Sequence, residues 1–466
     1  MNEEKSKATM LKEQLMMKER KGAGDYKKED LKEADAFCED YKKFLDNSRT
    51  EREAVKYTVE LAKKNGFEEF VPDKEYKAGD RIYVVNREKA LGLAVIGKNG
   101  TKNGVKLAIA HIDSPRIDLK PNPLYEDNGL ALFKTHYYGG IKKYQWTTVP
   151  LSLHGRVVKL NGEKVDICLG ENDDEPCFLI TDLLPHLDKE MATKTVSKAF
   201  TGEELNILVG SMPFDDSDDK NLVSLNVMKI LNEKYGIVEG DFLSAELCFT
   251  PCYKTRDIGF DRGLIGGYGH DDRCCAYPSV KAIFDTEIPE CTSITYLTDK
   301  EETGSDGNTG MQSDFLRYFI YDLAKIDGEE GYRVLSKSKC LSADVNAAFD
   351  PTYASAYEPK NASFINEGVV ISKYTGHGGK YDTSDASAEF MGEIRSMLEK
   401  NEVKWQIGEL GKVDIGGGGT IAKYVANMNV DVVDLGVPVL CMHAPFEVIA
   451  KSDIYMAYKA FFALFN

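Results

Sequence analysis

No two of the ten cysteines stand in a CxxC pair. The spacing that builds a thiolate metal site is therefore missing, and soft-metal chelation by these cysteines is not expected. The adjacent Cys274 and Cys275 in "DDRCCAYPSV" do not suit a disulfide framework, so the thiols are expected to be reduced, in a cytoplasm. Long apolar runs are also missing. No uninterrupted stretch approaches the roughly 20 residues that a membrane helix needs, and the opening "MNEEKSKATMLKEQ" is charged throughout, without the apolar centre of a signal peptide. Positive charge is in deficit: 76 acidic residues face 59 basic ones, a formal net charge of −17. That balance opposes nucleic-acid binding, because phosphate-tracking surfaces need clustered Lys and Arg. It leaves carboxylates available for cations. The run "GGGGT" at 416–420 lacks the lysine that follows in a P-loop, so no nucleotide is expected there.

What is present is ample material for a core. The 466 residues are 42% hydrophobic, enough for a large soluble protein of more than one domain. Leu31, Ala34, Phe37, Cys38, Tyr41 and Leu45 recur at three- and four-residue steps and predict a helix. A second helix follows, with Ser48 or Thr50 as N-cap and Gly66 as stop. The run "KLAIAHIDS" reads as a strand covered on both faces. From about residue 116 to 259 the texture shifts to shorter β-like pieces between polar turns, with "PFDDSDDKN" (213–221) as a solvated loop. Helix and strand then alternate again, through "TSITYLT" and "VDLGVPVLCMH" to the aromatic "YMAYKAFFALF". The expectation is an α/β fold in three pieces: residues 1–115 and 260–466 make one α/β domain, interrupted by an inserted β-rich domain over 116–259.

Three apolar strands end alike, in His, Asp or Glu: "LAIAHID", "ITYLTDKEE" and "PVLCMHAP". Ligands of open α/β sheets gather beyond the carboxyl ends of strands. His111, Asp113, Glu301, Glu302 and His443 could therefore meet in one crevice, and Asp271 and Asp344 have similar settings. Two imidazoles and several carboxylates suit a pair of divalent metals such as zinc. Two such ions call for a bridging carboxylate and a shared water, and without them the cluster would bear severe like-charge and desolvation costs. Neighbouring side chains at a strand end diverge. One glutamate of the Glu301–Glu302 pair can thus bind metal while the other serves as general base. Asp113, two residues beyond His111, could accept the imidazole N–H that a metal leaves free. His136, His154 and His377 have no role in this scheme.

The strings "AHIDSP", "YYGG", "LSLHGRV", "GHDDRCCAYPSV", "TDKEETGS", "SADVNAAFDPTY", "GGGGTIA" and "DLGVPVLCMHAPFE" occur in the order found in the aspartyl aminopeptidase and vacuolar aminopeptidase I family. From about residue 20 to the end the chain resembles that family, most of all its bacterial aminopeptidase 1 branch. The resemblance implies a dinuclear zinc metallopeptidase that removes single N-terminal residues from peptides, Co²⁺ or Mn²⁺ being alternative metals. It implies an α/β/α sandwich catalytic domain of the zinc-peptidase type, an inserted β-rich dimerisation domain, and a tetrahedral dodecamer built from dimers. Carried over by motif, His111 and Asp344 bind one metal, Glu302 and His443 the other, and Asp271 bridges. Glu301 is the base and Asp113 orients His111. His186, Lys373 and Tyr381 fall where substrate contacts are expected, His186 reaching into a neighbouring subunit. One position departs. Acid-preferring members carry a histidine shortly after the metal-binding aspartate, where this chain has Ala347, which leaves neutral or hydrophobic first residues open. Two rival readings use other chemistry: a related dinuclear amidohydrolase (carboxypeptidase or deacylase), and a non-catalytic shell-forming assembly protein.

Overall fold

A computed structural model describes residues 6–17, 21–215 and 220–466. The first residues of the charged N-terminal stretch, and 216–219 of the acidic 213–221 stretch, lie outside the described residues.

The His111 run does form a strand, Lys106–His111, and it lies inside a nine-stranded sheet. Its side chains alternate between two apolar layers. Ala108 and Ala110 belong to one buried cluster, Leu107 and Ile109 to the other, as the period of two requires. Three parallel neighbours complete the centre of the sheet: Ser293–Thr298 on one side, then Lys339–Ser342 and Asp431–Gly436 on the other. Their registers fix where each strand stops. Thr298 pairs with His111, and Ser342 pairs with Ile109 and with Asp434. The residues that leave these strands at their carboxyl ends therefore emerge at nearly one level.

Helices cover both faces. Lys28–Asp46, Glu51–Lys64, His270–Asp285, Ala388–Lys400 and Lys451–Phe465 contribute to one apolar layer. Phe315–Ile326, Gly331–Leu335 and Ala422–Ala426 contribute to the other. The result is an α/β/α sandwich. In the first long helix the buried positions are Ala34, Cys38, Tyr41, Phe44 and Leu45; four of these belong to the stripe that its spacing predicts, whose Leu31 and Phe37 are half-buried, and Phe44 is added to it. The next helix starts at Thr50, whose hydroxyl accepts the Glu53 N–H while Glu53 returns a carboxylate to the Thr50 N–H, a reciprocal cap. Gly66, at φ +80°, takes the left-handed position after its end.

A separate seven-stranded antiparallel sheet begins at Arg116–Asp127 and ends at Ala245–Pro251. It has its own apolar layer around Trp146, Phe133 and Phe249, to which Leu222–Tyr235 adds Val223, Val227 and Leu231. A five-stranded sheet joins Arg256–Ile258, Leu264–Gly267, Glu447–Ala450, Pro438–Leu440 and Asn346–Ala347. It brings the segments around Asp344, His443 and Glu447 beside one another. Among the described residues no helix is long and apolar enough to cross a membrane.

Beneath these layers Asp257 ties three elements together. Lys42 and Lys451 lie 3.1 and 3.3 Å from its Oδ1, and Arg262 lies 2.7 Å from Oδ2. Burial works against its charge, but these three cations hold its carboxyl down to about 2 from an ordinary 3.8. A carboxyl depressed in the folded state stabilises above the unfolded value and loses that contribution as pH falls through the folded one. Urea unfolding followed between pH 5 and 2.5 should therefore show a smaller loss of stability in Asp257→Asn than in the parent chain. Equal losses would show that this cluster carries no acid sensitivity.

Candidate metal centre

Beyond the strand ends the seven predicted residues separate into an inner and an outer set. His111, the last residue of its strand, is buried, and its Nε2 lies 3.1 Å from Asp271 Oδ1. The other oxygen of Asp271 lies 3.2 Å from His443 Nε2. One carboxylate thus presents one oxygen to each of two imidazoles that are 332 positions apart in sequence. Glu302 Oε2 lies 3.5 Å from His443 Nε2, while Glu301 Oε2 and Asp344 Oδ1 each lie 4.0 Å from His111 Nε2. Donor atoms of His111, Asp271 and Glu302 all fall within 4.8 Å of one another, and so do those of His111, Glu301 and Asp344.

The two glutamates do not end a strand. Ser293–Thr298 stops three residues earlier, Lys300 turns at φ +64°, and Glu301–Thr303 forms a 3₁₀ turn. Their different directions come from that turn rather than from strand alternation. Asp113 holds it in place: its Oδ1 accepts the Glu301 N–H at 3.1 Å and its Oδ2 the Glu302 N–H at 3.2 Å. Tyr138 donates its hydroxyl to the same Oδ2 at 2.8 Å. His111 Nδ1 lies 3.0 Å from the Asp113 carbonyl and 3.3 Å from its carboxylate. Asp113 therefore braces both the imidazole and the glutamate turn, the second task having no sign in its H-x-D spacing.

Several partners of the cluster carried no assignment from sequence. Glu447 accepts the backbone N–H of His443 at 2.7 Å and that of Asp271 at 3.1 Å, fixing two candidate ligands from one carboxylate. Ser114 donates to the Asp271 carbonyl at 2.7 Å, and His443 Nδ1 lies 2.7 Å from the Gly140 carbonyl. A side chain at Gly139 would stand 3.2 Å from Glu302 Oε2, and one at Gly436 only 1.7 Å from the Asp344 carbonyl. Close backbone approach thus requires glycine at Gly436, whereas at Gly139 the left-handed φ of +76° favours it and a side chain would also crowd the Glu302 carboxylate. The signal for Glu447 and Tyr138 lay in the strings "MHAPFE" and "YYGG", where nothing in residue type separates a brace from a surface group. His186, Lys373 and Tyr381 do not join the cluster. His186 and Tyr381 are exposed, and Lys373 is ion-paired with Asp385. The cavity over the cluster, about 260 Å³, is lined instead by Tyr374, Lys380, Glu409, Asp434 and the glycines 416–419, together with Asp271, Glu301, Asp344 and His443.

Left to themselves these groups are frustrated. Burial, with Asp113 and Asp271 nearby, pushes the Glu301 carboxyl up to about 7. Burial and Asp271 raise Glu302, and burial and Glu301 raise Asp344. Burial opposes charge on His443, yet Asp271 and Glu302 carry it up to about 11. Glu302 Oε1 is buried without a hydrogen-bond partner among the described residues, which is costly unless a cation takes it. Imidazole nitrogens plus carboxylate oxygens are a zinc-type donor set, and this one fits a metal.

A profile of the aminopeptidase I zinc metalloprotease family (M18) matches residues 44–465. The chain belongs to that family. It is 48% identical over 460 residues to a Clostridium acetobutylicum protein named "Probable M18 family aminopeptidase 1", covering 97% of this chain and 99% of that one. The crystal structure of the Thermotoga maritima M18 aminopeptidase superposes with a TM-score of 0.92 at 43% identity, covering 97% and 100% of the two chains. A structure of the S. cerevisiae mApe1 dodecamer, at 20% identity and a TM-score of 0.75, shares the fold over 93% of this chain and 97% of that one. The M18 chain is accordingly a metal-dependent aminopeptidase of a zinc family; these matches favour neither the carboxypeptidase or deacylase reading nor the non-catalytic one.

The double brace at Glu447 can be tested directly. Partners behind metal ligands are commonly worth about 10–100-fold in metal affinity or activity, so Glu447→Ala should fall by that order while its circular dichroism stays that of the parent. Full activity and full metal content in this variant would remove Glu447 from the site.

Proposed function

We propose that two divalent ions, zinc in the first instance and Co²⁺ or Mn²⁺ as substitutes, are held here with Asp271 between them. His111 and Asp344 would complete one ligand set, Glu302 and His443 the other. The observation that carries this reading is the placement of the two Asp271 oxygens, 3.1 and 3.2 Å from different imidazoles. When bound, such ions polarise the scissile carbonyl and acidify the attacking water.

Every other task falls to the chain. Glu302 is nearly inaccessible, its side chain 3% exposed, whereas that of Glu301 is 18% exposed and faces the cavity. The first is suited to ligation and the second to proton transfer. Glu301 removes a proton from water as it attacks the first peptide carbonyl, then delivers it to the leaving amine. Asp113 keeps Glu301 in reach by holding its backbone N–H. The cationic α-amine of the peptide meets the acidic wall formed by Asp344 and Asp434, which confines cleavage to the first residue.

The sheet within 116–259 would provide the dimer contact, and twelve chains would close into a tetrahedral shell that admits peptides, as the S. cerevisiae dodecamer suggests by analogy. Ten free thiols agree with work in the cytoplasm. His186 would meet the cavity of a neighbouring chain, and Lys373 and Tyr381 would contribute from the rim. Ala347, in place of a histidine, argues against an acidic preference and leaves neutral or hydrophobic first residues open.

Two variants divide the roles of the adjacent glutamates. Glu301→Gln should lose about a hundred- to ten-thousandfold in kcat, the order expected when general acid–base catalysis is removed, and keep its metal. Glu302→Ala should lose metal measured by inductively coupled plasma mass spectrometry. Normal turnover of an aminoacyl amide by the first variant, or full metal content in the second, would overturn the assignment.

A further inference from the structure

His154, which the peptidase site does not use, stands at the centre of a second cluster between the two main sheets. It is buried on the strand Leu151–Val158, 1% exposed. Antiparallel pairing sets Cys168, of Lys164–Leu169, directly opposite it, so both side chains leave the same face of the seven-stranded sheet. Glu53 closes from the first turn of Glu51–Lys64, its Oε1 2.8 Å from His154 Nδ1. Donor atoms of Glu53, His154 and Cys168 all lie within 4.8 Å of one another. Zinc bonds of about 2.0–2.3 Å in a tetrahedron space such donors roughly 3.3–3.7 Å apart, a difference that side-chain rotation can close.

Two of the three donors are held from behind. His154 Nε2 lies 2.8 Å from Ser152 Oγ and 3.2 Å from Glu171 Oε1, and a carboxylate on the far nitrogen is what orients metal-binding histidines. The second oxygen of Glu53 accepts the Thr50 N–H at 3.0 Å. Charge also divides cleanly. Glu171 is offset by Arg49 and Lys254, 3.3 and 3.0 Å from its Oε2. What remains is the Glu53 carboxylate and a thiol that ionises on coordination: two negative charges and a neutral imidazole, matched to one dication. All three donors border a cavity of about 400 Å³, which leaves room for water as a fourth ligand.

We propose that Glu53, His154 and Cys168 form a site for one borderline-soft dication of the Zn²⁺ class, braced by Glu171 and separate from the Asp271 cluster. The thiolate selects against Mg²⁺ and Ca²⁺. The ion would fasten a helix of the α/β/α layer to the inserted sheet, adding to the ion pairs that already join them, Glu53 with His154, Glu51 with Arg116 and Arg52 with Glu246. No cysteine motif announces such a site, because strand pairing rather than CxxC spacing brings the donors together.

Cobalt distinguishes the two centres. The Asp271 cluster offers only nitrogen and oxygen donors, so a thiolate-to-Co²⁺ charge-transfer band in the near ultraviolet cannot come from it, and loss of the band in Cys168→Ser separates Cys168 from the other thiols, Cys274 and Cys275 beside Asp272 among them. Full-length protein titrated with Co²⁺ should develop that band with one ion per chain. Cys168→Ser, a change at an exposed position, should abolish the band and lower bound metal by one equivalent per chain while keeping the parent's peptidase turnover. Added Zn²⁺ should raise the melting temperature of the parent more than that of Cys168→Ser. Absence of the band at saturating Co²⁺, or the same band and stoichiometry in Cys168→Ser, would overturn the proposal and leave His154 as part of an ion-pair network.

Discussion

The carboxylate of Asp271, shared between His111 and His443, is the contact on which the candidate metal centre depends. It is buried, and both imidazoles oppose its protonation strongly enough to hold it well below the usual carboxylate range. Such a group cannot be placed by one element. It is set by Ser114 on its carbonyl and by Glu447 on its N–H, and it sits at a non-helical break (φ −77°, ψ 108°) near the start of His270–Asp285, whose following turns are buried in the apolar layer. The ionic centre is therefore positioned by apolar packing. Helix burial fixes Asp271, parallel register fixes His111 and Glu301, and the five-stranded sheet fixes Glu447 and His443.

Much of this arrangement was legible in the sequence for one physical reason. A parallel strand covered on both faces must be apolar along its length, so a switch to His, Asp or Glu marks the point where it leaves the core. "LAIAHID" and "ITYLTDKEE" show that switch, and their register carries both ends to the same edge. What could not be read was the backbone between strand and ligand. The 3₁₀ turn at Glu301–Thr303 and the positive φ of His443 arise from contacts with Asp113 and Glu447, which lie far off in sequence or in an unremarked position. Lys373 and Tyr381 stand beside Tyr374 and Lys380 in the segment that borders the cavity. A motif locates a segment, but which side chains of that segment face the cavity depends on local turns, and here Tyr374 and Lys380 line it.

The inserted sheet presents the same lesson with another outcome. Its strands mix buried with exposed positions where those of the nine-stranded sheet are buried almost throughout, and Leu151–Val158 carries Ser152 and His154 inside. Buried polar residues on a strand require partners. Here they come from the helix Glu51–Lys64 and from Glu171. The first partner belongs to the α/β/α layer and the second to the insert, so satisfying His154 couples the two. A hydrogen-bonded imidazole is enough for that coupling, and a metal would make it stronger and dependent on supply.

The two clusters differ in how they treat excess charge. Around Asp271, Glu301, Glu302 and Asp344 are pushed upward by burial and mutual repulsion, and no lysine or arginine makes an ion pair with any of them among the described residues. The missing countercharge has to come from outside the chain, which is the condition for a site whose cations do chemistry. Around His154 the chain supplies Arg49 and Lys254 itself, so the fold there closes without an ion. An added dication then finds two anionic donors, where the Asp271 cluster offers three carboxylate donors and a further glutamate, Glu301. The expected division follows from that difference: activity depends on metal at the Asp271 cluster, whereas metal at the His154 cluster bears on the joint between the sheets.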